Sequence, residues 1–279
     1  MEMVANMDAE ERLQAGHVRL EHDGALAYVT LSHPGKFNAM SRSMWQQLRA
    51  VFEGLQHDSR VRCVLVRGEG GHFCAGGDIA EYPAFRFNAH SLRAFHENDV
   101  WGGLQAMLDC DVPIVAHIEG NCMGAGVEIA SCCDLRLAGA SARFGAPIAR
   151  LGFPMAPREA ALVAQAVGNT VARAMLLAAE VFDAPALQGS GFLTQVLADA
   201  QVADHALAMA QRIAALAPQA ARLNKQTFRA LNSPKDTVEY AQTANKTIAF
   251  AATDPYAYAD SAEHREGIAA FLAKRKPQF

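Results

Sequence analysis

A glycine-rich segment between a predicted buried strand and a predicted helix constrains this fold more than any other feature. Residues 113–118 form a compact apolar run entered by a proline, which predicts a short buried strand. Residues 120–126 are rich in glycine, and residues 127–133 have the composition of a buried helix. Because glycine permits close backbone approach and a helix start carries unpaired N–H groups, this segment can hold negative charge on an oxygen. Glu128 would place a carboxylate beside that oxygen.

Composition narrows the class of protein. The 279 residues are 51% hydrophobic, enough for one large domain or a domain with an appendage. The net charge of -4 gives no sequence-wide basic surface for nucleic acid. The N-terminus lacks the apolar stretch of a signal peptide. The sequence also lacks a run of about 18 apolar residues, which a membrane-spanning helix would need. The 6 cysteines are scattered in apolar surroundings and form no C-x-x-C pair, which is typical of core residues in a reducing compartment. Together these features predict a cytoplasmic protein with neither nucleic-acid nor membrane partners.

Strand and helix patterns alternate along most of the chain. Residues 17–20 and 26–31 flank Asp23 and Gly24, a hairpin signal, and residues 61–66 predict another strand. Ser43 followed by Gln46 predicts the start of a helix with a capping box. Further helices are predicted at 90–108, 158–167 and 170–179, and a last strand at 192–197.

The alternation indicates an α/β core, and the helical signal from residue 202 onward indicates a smaller appendage. We therefore expect a polar leader at 1–16, a core that contains the site at 17–197, and a helical region at 198–279. Proline and glycine near 189–201 mark the second boundary.

A second glycine-rich loop covers residues 68–78, and neither loop matches a nucleotide-binding motif. Residues 120–126 do not meet G-x-G-x-x-G, which disfavours an NAD-type dehydrogenase. Gly71 and Gly76 have the glycine spacing of a P-loop. However, Gly77 stands where a P-loop has lysine and Asp78 where it has serine or threonine, so this is not a P-loop. G-x-S-x-G and H-E-x-x-H are also absent from the sequence, which disfavours serine hydrolases and zinc proteases.

Several motifs in fixed order resemble the crotonase superfamily, the enoyl-CoA hydratase/isomerase proteins. They are PGKFNA at 34–39, FCAGGDI at 73–79, GNCMGAGVE at 120–128, FGAP at 144–147 and the tail at 265–276. The resemblance runs from about residue 17 to the C-terminus. It implies a crotonase-like spiral of ββα turns with a C-terminal helical trimerisation region. Homo-oligomers of this kind are trimers, or dimers of trimers.

The resemblance implies chemistry on an acyl-CoA thioester, with no cofactor besides the CoA of the substrate and no metal. The backbone N–H groups of Gly77 and Ala125 would hold the oxyanion of a thioester enolate. Glu128 matches the first of two catalytic glutamates of the hydratases. The second follows Phe-Gly-x-Pro in those enzymes, but this chain has Ile148 there, which cannot hold water or move a proton.

The resulting prediction is an enzyme of the enoyl-CoA hydratase/isomerase type with Glu128 as general acid/base, catalysing hydration or a double-bond shift. Ile148 leaves alternatives open. A decarboxylase of the same family needs only the oxyanion hole, and a silent member would bind CoA thioesters without turnover. Arg158 and Glu159 replace a Gly-Gly of the hydratases. Glu159, or another carboxylate, could also reach the site from a new direction.

The resemblance also assigns residues to the substrate. Phe271 and Lys274, in the tail, match residues that reach the CoA of a neighbouring subunit. The residues expected along the CoA and acyl groups within one subunit are Lys36, Phe37, Ala39, Ala75, Asp78, Ile79, Gly124, Pro147, Ile148 and Leu151.

Overall fold

The computed structural model describes residues 15–231 and 258–279. Most of the expected leader and the middle of the expected C-terminal helical region lie outside the described residues. The strands are β1 His17–Asp23, β2 Leu26–Ser32, β3 Cys63–Gly68, β4 Ile114–Ile118, β5 Asn121–Met123, β6 Leu135–Gly139, β7 Arg143–Gly145, β8 Val181–Asp183 and β9 Gln195–Leu197. The α-helices are α1 Arg42–His57, α2 Ala89–Ala94, α3 Trp101–Asp109, α4 Ala125–Cys132, α5 Pro157–Val167, α6 Asn169–Leu177, α7 Ala184–Gly189, α8 Asp199–Ala214, α9 Pro218–Leu231 and α10 Ala262–Leu272.

The strands form two sheets. The larger has the order β1-β2-β3-β4-β6-β9, with an antiparallel hairpin at one edge and parallel neighbours beyond it. The smaller has the order β5-β7-β8. Helices separate the parallel strands, which is the mixed α/β core that the alternating sequence pattern predicts. The predicted hairpin is confirmed: Asp23 pairs with Leu26, and Gly24 takes a φ of 57° in the turn.

Helix α1 begins two residues earlier than the predicted capping box. The cap is Ser41, whose side chain accepts a hydrogen bond from the backbone N of Met44 at 3.2 Å. The Ser43 cap was therefore wrong, because Ser43 lies inside the helix and its Oγ accepts from Gln47 Nε2 at 3.2 Å. The apolar face of this helix is buried.

The predicted helix at 90–108 contains a π-helical segment, Phe95–Val100, between α2 and α3. A π turn holds one residue more than an α turn and often occurs at functional sites. Asp99 in this segment is buried and accepts hydrogen bonds from Arg42 Nη2 at 2.8 Å and from Gln46 Nε2 at 2.9 Å. These bonds fix the segment to α1.

Apolar side chains cover both faces of the larger sheet. One face packs against α1, α3 and α4 in the main core. On the other, Ala206 and Ala210 of α8 meet Leu65, Val115 and Leu137. The three-part division at residues 16 and 197 stays a prediction. Within the described ranges, none of the helices is both long and apolar enough for a membrane crossing.

Candidate active site

The two glycine-rich loops run side by side. The backbone N of Cys74 donates to the carbonyl of Asn121 at 2.9 Å, and the N of Met123 donates to the carbonyl of Cys74 at 2.8 Å. On its other side the loop at residues 68–78 is bonded to Met40, whose N donates to the Gly76 carbonyl at 2.7 Å. Main-chain hydrogen bonds therefore join segments that are far apart in the sequence and hold residues 74–77 beside the start of α4.

Glycine is required at several points of this junction. Gly76 and Gly124 have φ values of 115° and 48°, which L side chains rarely adopt. At Gly126, a Cβ atom would lie 2.6 Å from the carbonyl oxygen of Cys74. The glycines thus allow the backbones to approach one another here, as the sequence predicts.

Gly77 and Ala125 line one cavity of about 320 Å³. Ala125 is the first residue of α4, so its N–H has no partner within the helix. The amides around them are engaged: Asp78 N donates to the Met40 carbonyl, and Gly124 N donates to the Gly145 carbonyl, each at 2.8 Å. In the described parts of the chain, neither the Gly77 nor the Ala125 N–H donates to another backbone group.

Glu128 lies one turn into α4 and lines the same cavity. Its side chain is buried, with 8% of the residue exposed. Burial, and then the negative charge of Glu159, raises the pKa of Glu128 well above its usual range. The raised pKa favours the protonated form of Glu128, the form that a general acid needs.

A second carboxylate enters the cavity from α5. Glu159, with 2% of the residue exposed, lines the cavity together with Glu128. Its Oε2 accepts a hydrogen bond from the backbone N of Ala156 at 3.2 Å, and the Nδ1 of His96 lies 3.1 Å from each carboxylate oxygen. Arg158 instead faces solvent, where it pairs with Glu97 at 3.2 Å. The sequence left open whether a carboxylate other than Glu128 reaches the site, and Glu159 does so.

Apolar side chains make up most of the remaining cavity wall. Ile148 lies in the short 3₁₀ helix Pro147–Leu151 and lines the cavity. The other apolar or aromatic residues of the wall include Trp45, Tyr82, Phe95, Val100, Phe153 and Met155. Apolar surroundings of this kind strengthen the interactions of charges inside the cavity.

The cavity continues outward into a second space of about 720 Å³. Both spaces share Ile79, Tyr82, Arg86 and Phe153. The Arg86 guanidinium lies over the Phe153 ring, with its carbon 3.5 Å from the ring centroid. Arg86 and His96 could not be identified from the sequence, because Phe153 and Glu159, their neighbours in the site, come from a distant part of the chain.

Half of the predicted substrate-binding residues line the cavity that holds Glu128. These are Ala75, Ile79, Gly124, Pro147, Ile148 and Leu151. The others lie outside that lining: Lys36, Phe37, Ala39, Asp78, Phe271 and Lys274. Lys36 Nζ pairs with Asp78 Oδ2 at 2.6 Å, and Phe37 packs on the His72 ring. Phe271 is 82% exposed and Lys274 is also exposed.

Comparison with known proteins extends the likeness to nearly the whole chain. Residues 21–279 match the family described as "Enoyl-CoA hydratase/isomerase". A probable enoyl-CoA hydratase of Rhizobium meliloti is 28% identical over 262 residues, covering 93% of this chain and 96% of the relative. The 2,3-dehydroadipyl-CoA hydratase of Escherichia coli is 30% identical over 251 residues, covering 90% and 93%. The crystal structure of an enoyl-CoA hydratase/carnithine racemase from Magnetospirillum magneticum superimposes with a TM-score of 0.84 at 33% identity, covering 94% of each chain.

The fold is therefore that of the crotonase superfamily, as the motifs predict. Within it, the chain belongs to the enoyl-CoA hydratase/isomerase family and is an enzyme of that type.

Proposed function

We propose that this protein acts on an enoyl-CoA thioester, with the N–H groups of Gly77 and Ala125 as the oxyanion hole and Glu128 as general acid/base. One observation carries the proposal: Glu128 lies one turn after Ala125 and shares an apolar cavity with Gly77. A carbonyl oxygen bound by the two amides would place the adjacent carbon beside the Glu128 carboxyl. That carbon gains or loses a proton when a thioester enolate forms or collapses.

The two amides supply the electron sink. As a nucleophile adds to the β-carbon, or as a base removes a proton, electrons move onto the thioester oxygen and the N–H groups stabilise the negative charge. One oxyanion donor typically contributes about 3–4 kcal/mol to lowering the barrier. The helix dipole of α4 adds positive potential at Ala125. Glu128 then transfers a proton at the α-carbon.

The proposed substrate path extends from this cavity past the glycine-rich loop at residues 68–78. Ala75 and Ile79 border the cavity. Residues 36–39 lie against the same loop, since Ala75 N donates to the Phe37 carbonyl at 2.9 Å and Lys36 Nζ pairs with Asp78 Oδ2 at 2.6 Å. We assign this surface to the CoA moiety, the only cofactor-like group that the reaction requires. The exposed Phe271 and Lys274 are free to meet the CoA of a neighbouring subunit in a trimer or a dimer of trimers.

A panel of 2-enoyl-, 3-enoyl-, 3-hydroxyacyl- and malonyl-type CoA thioesters, analysed by mass spectrometry, tests the proposal. The proposal is supported if the wild-type protein turns over an enoyl-CoA and Glu128→Gln does not, while calorimetry shows that the variant still binds the thioester. Turnover unaffected by that change removes Glu128 from the mechanism.

The same panel separates the two alternatives that Ile148 leaves open. Loss of CO₂ from a malonyl-type thioester without enoyl-CoA turnover identifies a decarboxylase. Binding without turnover of any thioester identifies a silent member. The placement of Glu159 in the cavity favours the hydratase/isomerase proposal, because the site then contains two carboxyl groups.

A further inference from the structure

We propose that Glu159 is the second acid–base group of this site and that His96 positions it. This inference rests on the proposed function and adds to it a second catalytic group, which enters from α5 instead of following Pro147. Ile148 therefore does not leave the site with one carboxyl, because Glu159 supplies the group from another wall of the same cavity.

Glu159 is buried but has hydrogen-bond partners. Glu159 is almost completely enclosed, and a buried carboxylate is costly unless hydrogen bonds compensate. The Ala156 N–H and the His96 ring provide those bonds. Since an ionised carboxylate can only accept, Nδ1 of His96 carries the hydrogen of this contact. The partners thus suit a charged Glu159 whose orientation is fixed.

Glu128 lies in the same cavity, and burial and the charge of Glu159 both raise its pKa. The cavity therefore favours the protonated form of Glu128. The hydrogen-bond donors around Glu159 instead suit an ionised carboxylate. We therefore assign the acid to Glu128 and the base to Glu159.

These states give a balanced hydration step. Glu159 accepts a proton from water while the water oxygen bonds to the β-carbon, and the π electrons move onto the thioester oxygen held by Gly77 and Ala125. Glu128 then gives its proton to the α-carbon as the enolate collapses. One water has been added, and a proton passing from Glu159 to Glu128 restores the starting state.

His96 is a positioning residue. It lies in the π-helical segment Phe95–Val100, and its ring packs edge-on against Phe95 with centroids 5.1 Å apart. Because its Nδ1 is equidistant from both oxygens of Glu159, the ring limits rotation of the carboxylate. His96 acts on the substrate only through Glu159.

Two reactions separate this inference from the proposed function. Hydration of the best enoyl-CoA of the panel needs Glu159 and Glu128. Exchange of the α-protons of the saturated acyl-CoA of equal length in D₂O needs only the oxyanion hole and Glu128. We expect Glu159→Gln to lower the kcat of hydration by about a hundredfold or more, as loss of a general base does. Exchange should persist, with its pH profile shifted to lower pH because the charge that raises the pKa of Glu128 is gone.

Glu97→Gln is the matched control, because Glu97 follows His96 but is exposed and pairs with Arg158. It should leave both reactions unchanged. Glu159→Gln keeps an oxygen that can accept from the Ala156 N–H. If that variant does not fold, Glu159→Asp is the alternative, because it keeps the negative charge but moves the carboxylate away from the cavity by one methylene group. Hydration by Glu159→Asp should still fall at least tenfold. His96→Ala should lower hydration and spare exchange, and His96→Gln should restore part of the loss by retaining an N–H.

Hydration by Glu159→Gln within about threefold of wild type would overturn the assignment, even if exchange confirmed Glu128. Loss of exchange in both Glu128→Gln and Glu159→Gln would assign Glu159 to the α-carbon step and also overturn it. Failure of the wild-type protein to catalyse either reaction would instead refute the proposed function.

Discussion

Replacing Glu128 with glutamine should change how the stability of this protein depends on pH. In the folded protein the pKa of Glu128 lies well above its ordinary value of 4.5, because the side chain is buried and Glu159 is near. The folded state therefore retains a proton that the unfolded chain has already released. Stability falls with rising pH wherever the folded state binds more protons. Glu128 thus destabilises the fold progressively from a pH of about 4.5 upward, until its folded pKa is reached.

The size of the effect follows from one proton. A difference of one bound proton changes the free energy of unfolding by about 1.4 kcal/mol per pH unit. Glutamine nearly preserves the shape of Glu128 and does not ionise. The stability of wild type relative to Glu128→Gln should therefore decrease by up to about 1.4 kcal/mol for each pH unit within this window. At neutral pH Glu128→Gln should be more stable than wild type.

Urea unfolding at about pH 5, 6 and 7, at equal protein concentrations, measures this difference. Taking the difference from wild type cancels the titration of carboxylates that do not interact with Glu128, so the difference reports on Glu128 together with its neighbour Glu159. Glu97→Gln, which changes an exposed glutamate, should give stabilities parallel to wild type at every pH. If the Glu128→Gln and wild-type stabilities also remain parallel, Glu128 does not titrate with a raised pKa, and the acid–base assignment loses its basis.

The remaining predictions concern the loop junction and the carboxylate. Gly126→Ala should destabilise the fold by about 2 kcal/mol or more in urea unfolding, because its Cβ would lie 2.6 Å from the Cys74 carbonyl; unchanged stability would contradict the tight junction. Gly54→Ala, in α1 with nothing within 4 Å, should stabilise by about 0.5–1 kcal/mol in the same assay, and a loss would contradict that open surface. Ile148→Glu should restore hydration about tenfold in the Glu159→Gln protein but not improve wild type; a gain in wild type would show that Glu159 does not fill the second role.

Local patterns were sufficient for the centre of the fold. The buried strand, the glycine loop and the helix with Glu128 could be predicted because each depends on neighbours in the sequence. The small sheet could not, since β5 and β8 have 3 residues each and their pairing with β7 is a tertiary event. The cap at Ser41 was missed because Ser43 and Gln46 offered an equally valid local pattern.

Part of the candidate site depends on contacts that no local pattern records. Gly77, Ala125 and Glu128 could be placed from motifs, and the structure brings them to one cavity. Glu159 and His96 are 63 positions apart in the sequence. Their contact could therefore not be predicted, and the sequence left open whether Glu159 reaches the site. The π segment that carries His96 is likewise invisible in an amphipathic pattern that reads as one continuous helix.

Because the π segment Phe95–Val100 lines the cavity, the number of residues in this segment determines the shape of the cavity wall. A π turn holds one residue more than an α turn, so removing one residue between 95 and 100 would convert the wide turn into an ordinary one while the helices before and after it keep their phase. The change would be confined to the wide turn, which carries His96 and its contact with Glu159. A single-codon deletion here should therefore alter one wall of the Glu128 cavity without altering the two glycine-rich loops.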